Sequence, residues 1–291
     1  VLSEKAEISP GFLSEIEKRT PTKNTRDLKS ADSITPKQLF FNSTVSKQIQ
    51  QLDCLLQADR FASVQENLVK HGMRRGFACI FYGAPGTGKT ESVLQLARST
   101  GRDIMIVDVP NLRSKWVGDT EKNTKAIFDK YKSYCKQSDL APILLFNEAD
   151  AIFGIRQEGA QRAVDKMENS LQNILLQEME KLDGILIATT NLTQNLDKAF
   201  ERRFLYKVRF EKPSLETKSK IWSSMMPELT ESQAEELARE YDFSGGQIEN
   251  ISRKKKIQSI IECCDPDFAT LKQYCGEEQL NSEQKRRRIG F

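Results

Sequence analysis

Eight residues, Gly83-Ala84-Pro85-Gly86-Thr87-Gly88-Lys89-Thr90, constrain this chain more than any other segment. The apolar run Ala78-Cys79-Ile80-Phe81-Tyr82 leads into them, and a helical pattern over 91–99 follows. A glycine-rich turn between a buried strand and a helix points successive backbone N–H groups inward, toward phosphate oxygens. The helix that starts there adds free N–H groups and the positive end of its dipole. Gly83, Pro85, Gly86, Thr87 and Gly88 are expected to shape the cradle, with Glu91 close behind. Lys89 is expected to reach the β- and γ-phosphates, and the Thr90 hydroxyl to serve as a Mg²⁺ ligand. The expected ligand is a nucleoside triphosphate, ATP, with Mg²⁺.

The strand–helix alternation continues downstream. Strands are predicted over 103–109, 142–146, 185–188 and 206–210, and helices over 121–135 and 171–182. Apolar strands alternating with helices predict an α/β fold, a parallel sheet covered on both faces. Upstream, Val45, Ile49, Leu52, Leu55 and Leu56 recur at helical spacing, and Phe61, Val64, Leu68 and Val69 mark a second amphipathic stretch. After Pro213 the strand signals stop, and helices are predicted over 214–226, 230–240, 245–262 and 266–278. The expected organisation is a linker or partly disordered segment over 1–37, an α/β domain over 38–211, and a helical domain over 212–291 with a basic tail. Pro10, Pro21 and Pro36 break the first segment.

Apolar residues make up 38% of the 291 residues and charged residues 29%, enough to build a core. The net charge of +3 gives no global field to recruit nucleic acid or membrane. The clusters Arg253-Lys254-Lys255-Lys256 and Lys285-Arg286-Arg287-Arg288 read as solvated helix face and tail. The cysteines at 54, 79, 135, 263, 264 and 275 show no Cys-x-x-Cys spacing, and His71 is the only histidine. They read as free thiols in a reducing cytoplasm. No stretch approaches the ~18 apolar residues of a membrane span, and no signal peptide is evident. The chain opens on Val1 rather than Met, so a fragment or processed product is expected.

A second polar cluster ends an apolar strand, Ile143-Leu144-Leu145-Phe146-Asn147-Glu148. Ligands of a parallel sheet sit beyond the carboxyl ends of its strands. Glu148 is therefore expected to face the γ-phosphate and activate the attacking water. Asn147 stands where an Asp is usual. Its carbonyl can accept a hydrogen bond from a metal-bound water but brings no charge, so weaker Mg²⁺ affinity is expected.

Together these segments resemble the AAA+ ATPases, closest to the AAA clade, over roughly residues 40–265. The resemblance implies a RecA-like P-loop NTPase domain, three-layered αβα, with a C-terminal all-helical AAA lid. Ile187-Ala188-Thr189-Thr190-Asn191 resembles the sensor 1 strand end, which implies that Asn191 holds the attacking water. Leu196-Asp197-Lys198-Ala199-Phe200-Glu201-Arg202-Arg203-Phe204 is similar to the family's arginine-finger stretch. Arg202 and Arg203 would then act on a neighbouring subunit's nucleotide; the plainer reading is an ion pair with Glu201 or Asp197. Ser114-Lys115-Trp116-Val117-Gly118-Asp119 resembles a pore loop, in which Trp116, Val117 and Gly118 grip extended polypeptide; the alternative is a Trp116 that packs on the core or on a neighbour. Ser244-Gly245-Gly246-Gln247-Ile248 is similar to the start of the lid's sensor 2 helix, with Gly246 near the nucleotide and Ile248 near its base. Arg253 is not assigned the sensor 2 role.

The whole resembles bacterial AAA proteins of undefined role with a Trp-type pore loop, some of which carry Asn before the catalytic Glu. A native Asn147 and one substituted to slow hydrolysis both fit. The implied function is an Mg²⁺-dependent cytoplasmic ATPase that closes into a homo-oligomeric, hexameric ring and remodels polypeptides. The alternative is a nucleic-acid-associated ATPase of the helicase-loader or transposition-regulator type, for which the basic tail is the support.

Overall fold

The computed structural model describes residues 27–110, 120–154, 163–194 and 196–287. A six-stranded sheet forms the centre, in the order β1-β3-β4-β5-β2-β6. Its strands are β1 (Leu28–Lys29), β2 (Phe77–Gly83), β3 (Ile104–Asp108), β4 (Ile143–Asn147), β5 (Ile185–Thr190) and β6 (Tyr206–Phe210). β2 to β6 are mutually parallel, and β1 pairs antiparallel with β3 at the edge.

Side chains alternate across each strand with a period of two, and both faces are apolar. Ile80, Leu144, Phe146, Leu186 and Ala188 face one side. There they meet Phe128 and Tyr131 of α4 (Thr120–Gln137) and Leu171, Leu175 and Met179 of α6 (Ala163–Glu180). Phe81, Ile143, Leu145, Ile185 and Ile187 face the other side. They pack on α1 (Ser43–Leu56), α2 (Ala58–Lys70) and α3 (Lys89–Ser99) through Leu52, Leu56, Phe61, Val93 and Leu96. The result is the three-layered α/β architecture expected of the sequence. Single-turn helices α5 (Asp150–Phe153) and α7 (Lys198–Glu201) follow β4 and β5 and were too short to leave a periodic signal.

The chain after β6 is helical: α8 (Leu215–Met225), α9 (Glu231–Glu240), α10 (Gly245–Glu262) and α11 (Phe268–Arg287). These helices enclose a separate core around Trp222, which is fully buried with Leu237, Ile248, Ile251 and Leu271. Thr230 and Gln233 form a capping box that starts α9.

Some boundaries differ from the reading. Residues 27–37 are not linker. Asp27 pairs with Lys130, β1 adds to the sheet edge, and Ile34 is 3% exposed in the core. Tertiary pairing orders a stretch too polar to announce itself. α6 starts at Ala163 rather than at 171, because its first turns are polar in sequence and hide the apolar period. α11 runs to Arg287, beyond the expected 278. No helix among the described residues is long and apolar enough to cross a membrane.

Candidate active site

The strand order brings three carboxyl ends side by side. Tyr82 of β2 registers with Thr190 of β5, and Phe146 of β4 with Ala188 of β5. The loop after β2 therefore faces Asn147-Glu148 and Thr190-Asn191. A cleft of about 320 Å³ lies between them, lined by Pro85, Lys89, Thr90, Glu148, Thr189 and Asn191 among others.

The loop itself depends on backbone that only glycine adopts without strain. Gly86 and Gly88 have φ of +73° and +92°. Thr87 closes the turn by donating its hydroxyl to Ala84 O at 2.8 Å. Gly88 precedes the first residue of α3, so Lys89 and Thr90 stand in its first turn, where N–H groups have no partner within the helix.

Lys89 is 8% exposed and donates three hydrogen bonds: to Gly83 O at 2.9 Å, Ala84 O at 2.8 Å and Asn191 Oδ1 at 3.0 Å. Burial pushes its ammonium down to about 8, while the carboxylates of Asp150 and Glu148 act in the opposite direction. The Thr90 hydroxyl donates to Asn147 Oδ1 at 2.7 Å, and the Thr189 hydroxyl donates to the same oxygen at 3.0 Å. Asn147 thus presents its side-chain carbonyl to Thr90 of the loop.

Glu148 has φ +54°, an uncommon conformation for a side chain of this size. Its N–H donates to the Thr189 hydroxyl oxygen at 3.1 Å, and the N–H of Ala149 donates to Thr189 O at 2.8 Å. The end of β4 is thereby turned and held against β5. Strained backbone of this kind is kept where neighbouring structure over-determines it, often at reaction centres.

A second cleft, of about 440 Å³, adjoins the first through Gly86, Gly88 and Glu91. Phe40, Phe41, Val45, Ile221, Met225 and Gly246 give it apolar walls between sheet domain and helical bundle. The bundle touches the loop directly: Gly246 N donates to Gly86 O at 2.9 Å. Asn42 ties the chain before α1 to the start of α8, donating to Lys212 O at 3.0 Å and accepting from Ser214 N at 2.8 Å and the Thr217 hydroxyl at 3.1 Å. Lys37 bridges Glu91 at 3.2 Å and Glu249 at 3.9 Å.

Arg202 and Arg203 follow α7 and are not among the residues lining either cleft. Arg202 is exposed. Arg203 is half-buried; it pairs with Glu180 and donates to Ala199 O at 2.8 Å. Glu180 is a different partner from the Glu201 or Asp197 that sequence proximity suggested. Glu201 pairs instead with Lys207 at 3.2 Å, and Asp197 caps α7 by accepting from Ala199 N at 2.7 Å.

Residues 79–212 match the family model for the "ATPase family associated with various cellular activities (AAA)". The chain belongs to the AAA+ superfamily. Protein CdcH of Halobacterium salinarum is 31% identical over 212 residues, covering 69% of this chain and 28% of that protein. A proteasome-associated ATPase of Streptosporangium roseum is 29% identical over 212 residues, 66% of this chain and 34% of its own length. Fidgetin-like protein 1 of Homo sapiens is 25% identical over 206 residues, 66% of this chain and 29% of its own length. The chain thus spans about a third or less of these three relatives.

An AAA domain carries nucleotide binding with it, and the family is one of ATPases. In this AAA domain Lys89, Thr90, Asn147, Glu148 and Asn191 converge, although 102 residues of chain separate Lys89 from Asn191. Trp116, Val117 and Gly118 lie outside the described residues. Sequence reading missed Asp150, Thr189, Asn42 and the Phe40-Phe41 wall. Asp150 follows the strand end, two residues beyond Glu148, but an acid after a strand carries no signal of its partner. Ile248 is fully buried in the bundle core, so its side chain is not at the cleft surface; its apolar spacing on α10 pointed to that core.

Proposed function

We propose that this chain hydrolyses ATP with Mg²⁺ at the cleft between β2, β4 and β5, and that it does so as a ring of identical subunits that remodels polypeptide. The observation that carries the proposal is the convergence of Lys89, Thr90, Asn147, Glu148 and Asn191 on one cleft beside the phosphate loop. Loop N–H groups and the Lys89 ammonium bind the phosphates. The Glu148 carboxylate takes the proton of the attacking water, and Asn191 orients that water. The oxygens of Thr90 and Asn147 suit Mg²⁺, a hard cation held by few protein oxygens and otherwise by phosphate and water. No cluster of three His, Cys, Asp or Glu able to hold a metal alone occurs among the described residues. When bound, Mg²⁺ neutralises charge on the β- and γ-oxygens.

The apolar cleft beside the loop suits the base and ribose. Gly246, bonded to Gly86, couples the lid to the phosphates. Arg202 and Arg203, outside the lining of their own cleft, suit action in trans on a neighbour's nucleotide, in a hexameric ring. Trp116, Val117 and Gly118 would grip the polypeptide. A relative named for association with the proteasome supports a protein substrate. Six free thiols support a cytoplasmic setting.

The test is the ATPase rate per subunit against protein concentration, with unfolded protein, with DNA, and with neither. A rate that rises with concentration and with unfolded protein supports the proposal. A rate flat in concentration defeats the ring, and stimulation by DNA alone replaces remodelling with the nucleic-acid reading.

A further inference from the structure

Asp150 opens α5, and its carboxylate lies against the end of β5 rather than in solvent. Its Oδ1 accepts the Asn191 backbone N–H at 2.6 Å and also the Thr190 hydroxyl. Its Oδ2 accepts the Asn191 side-chain amide, from Nδ2, at 3.1 Å. The Thr190 oxygen in turn accepts Leu192 N–H at 3.1 Å. Asn191 Oδ1, at the other end of the same amide, accepts from Lys89 at 3.0 Å.

An Asn amide has one acceptor end and one donor end, and its orientation follows from its neighbours. Both neighbours here demand the same one. A carboxylate accepts only, and an ammonium donates only. Reversing the amide would set its NH₂ against the Lys89 ammonium and its oxygen against the Asp150 carboxylate. Asp150, Asn191 and Lys89 therefore form a line in which the outer charges dictate how the central amide points.

We propose that Asp150 is a positioning residue for ATP hydrolysis: it sets the direction in which Asn191 presents its amide to the phosphate site. The inference rests on the reading that this cleft hydrolyses ATP and that Asn191 acts there. It assigns the acid two places after Glu148 a role distinct from base catalysis, since its oxygens are turned to Asn191 and Thr190. The Lys89 ammonium also has Asp150 as the first of the two carboxylates that favour its charged form, ahead of Glu148.

The sharp variant is Asp150→Asn. It keeps the volume and an oxygen for the Asn191 backbone N–H, but puts an NH₂ opposite the Asn191 NH₂. Two facing donors push the Asn191 amide to turn. The expected result is a kcat roughly 10- to 100-fold lower with little change in KM. In an Asn191→Ala background the same substitution should change kcat less than about two-fold, because coupled residues are not additive. Independently of turnover, the Asn191 side-chain amide can be followed by NMR in Asn-labelled protein without nucleotide, assigned by its loss in Asn191→Ala. It should exchange slowly in the parent and shift in Asp150→Asn. Parent-level kcat in Asp150→Asn, an undiminished loss in the Asn191→Ala background, or a fast-exchanging Asn191 amide in the parent each overturns the proposal. A parent without ATPase activity would instead defeat the hydrolytic reading, while the amide measurement still decides the Asp150–Asn191 link.

Discussion

The ammonium of Lys89 lies 3.0 Å from the amide oxygen of Asn191, across 102 residues of chain. Lys89 is buried, and its two other hydrogen bonds go to carbonyls of its own loop. This ammonium is held among the loop carbonyls and Asn191, at a desolvation cost that lowers its pKa to about 8.

That pKa makes nucleotide affinity depend on pH. A polyphosphate stabilises charged Lys89, so the bound pKa lies above 8, and binding takes up protons near that pH. ATP affinity should fall as pH rises through about 8. Calorimetry in buffers of different ionisation enthalpy measures the uptake. An affinity flat between about pH 7 and 9, with no proton uptake, would contradict the assignment. Lys89→Ala should abolish tight ATP binding at any pH.

Glu148→Gln retains shape and hydrogen bonding but cannot take a proton. Turnover should fall roughly 10²–10⁴-fold, with ATP affinity unchanged or improved. A rate within a few-fold of the parent would remove Glu148 from the role of base.

Asn147→Asp introduces a charge next to the Thr90 hydroxyl, which lies 2.7 Å from Asn147 Oδ1. The half-saturating Mg²⁺ concentration for ATPase should drop. A Mg²⁺ titration at fixed ATP reads it, and an unchanged midpoint means that residue 147 does not sense the metal.

The two arginines should separate. Arg203→Ala removes the bond to Ala199 O and leaves Glu180 with only Arg74, at 3.9 Å, among the described residues, and should destabilise the fold by roughly 1 kcal/mol. Arg202 is exposed, so Arg202→Ala should change stability by less than about 0.5 kcal/mol. Both should lose ATPase activity at concentrations that favour assembly, if both act in trans. Melting curves beside concentration-dependent rates distinguish a lost anchor from a lost finger.

Gly86→Ala should loosen the contact between lid and loop. Its φ of +73° costs an L side chain about 1–2 kcal/mol, and the new Cβ would lie 2.7 Å from Ser244 Oγ. ATP affinity and melting temperature should fall together. An alanine variant with parent affinity would show that the Gly86–Gly246 contact does not matter to binding.

Much of this was legible in the residues. The strand-loop-helix around 83–90 is local: apolar run, glycines and Lys-Thr occupy fixed offsets, and local physics decides them. The two-faced apolar strands β2, β4 and β5 announced a covered parallel sheet. Glu148 was legible because a strand end in such a sheet faces the ligand. The partners of Arg203 and Asp150 were not. Glu180 and Asn191 lie 23 and 41 residues away, and charge pairing depends on which elements the fold sets side by side. Residues 27–37 were misread for the same reason, since β1 is a strand only because the edge of β3 is there to pair with it. The sequence alone determined the phosphate loop, the layered class and the acid beyond β4, where pattern and chemistry are contiguous. Tertiary structure decided that Asn147 accepts from Thr90 and Thr189, that Asp150 holds Asn191, and that Gly246 reaches Gly86. A hydrogen bond extends only about 3 Å, and only the folded sheet brings those distant ends that close.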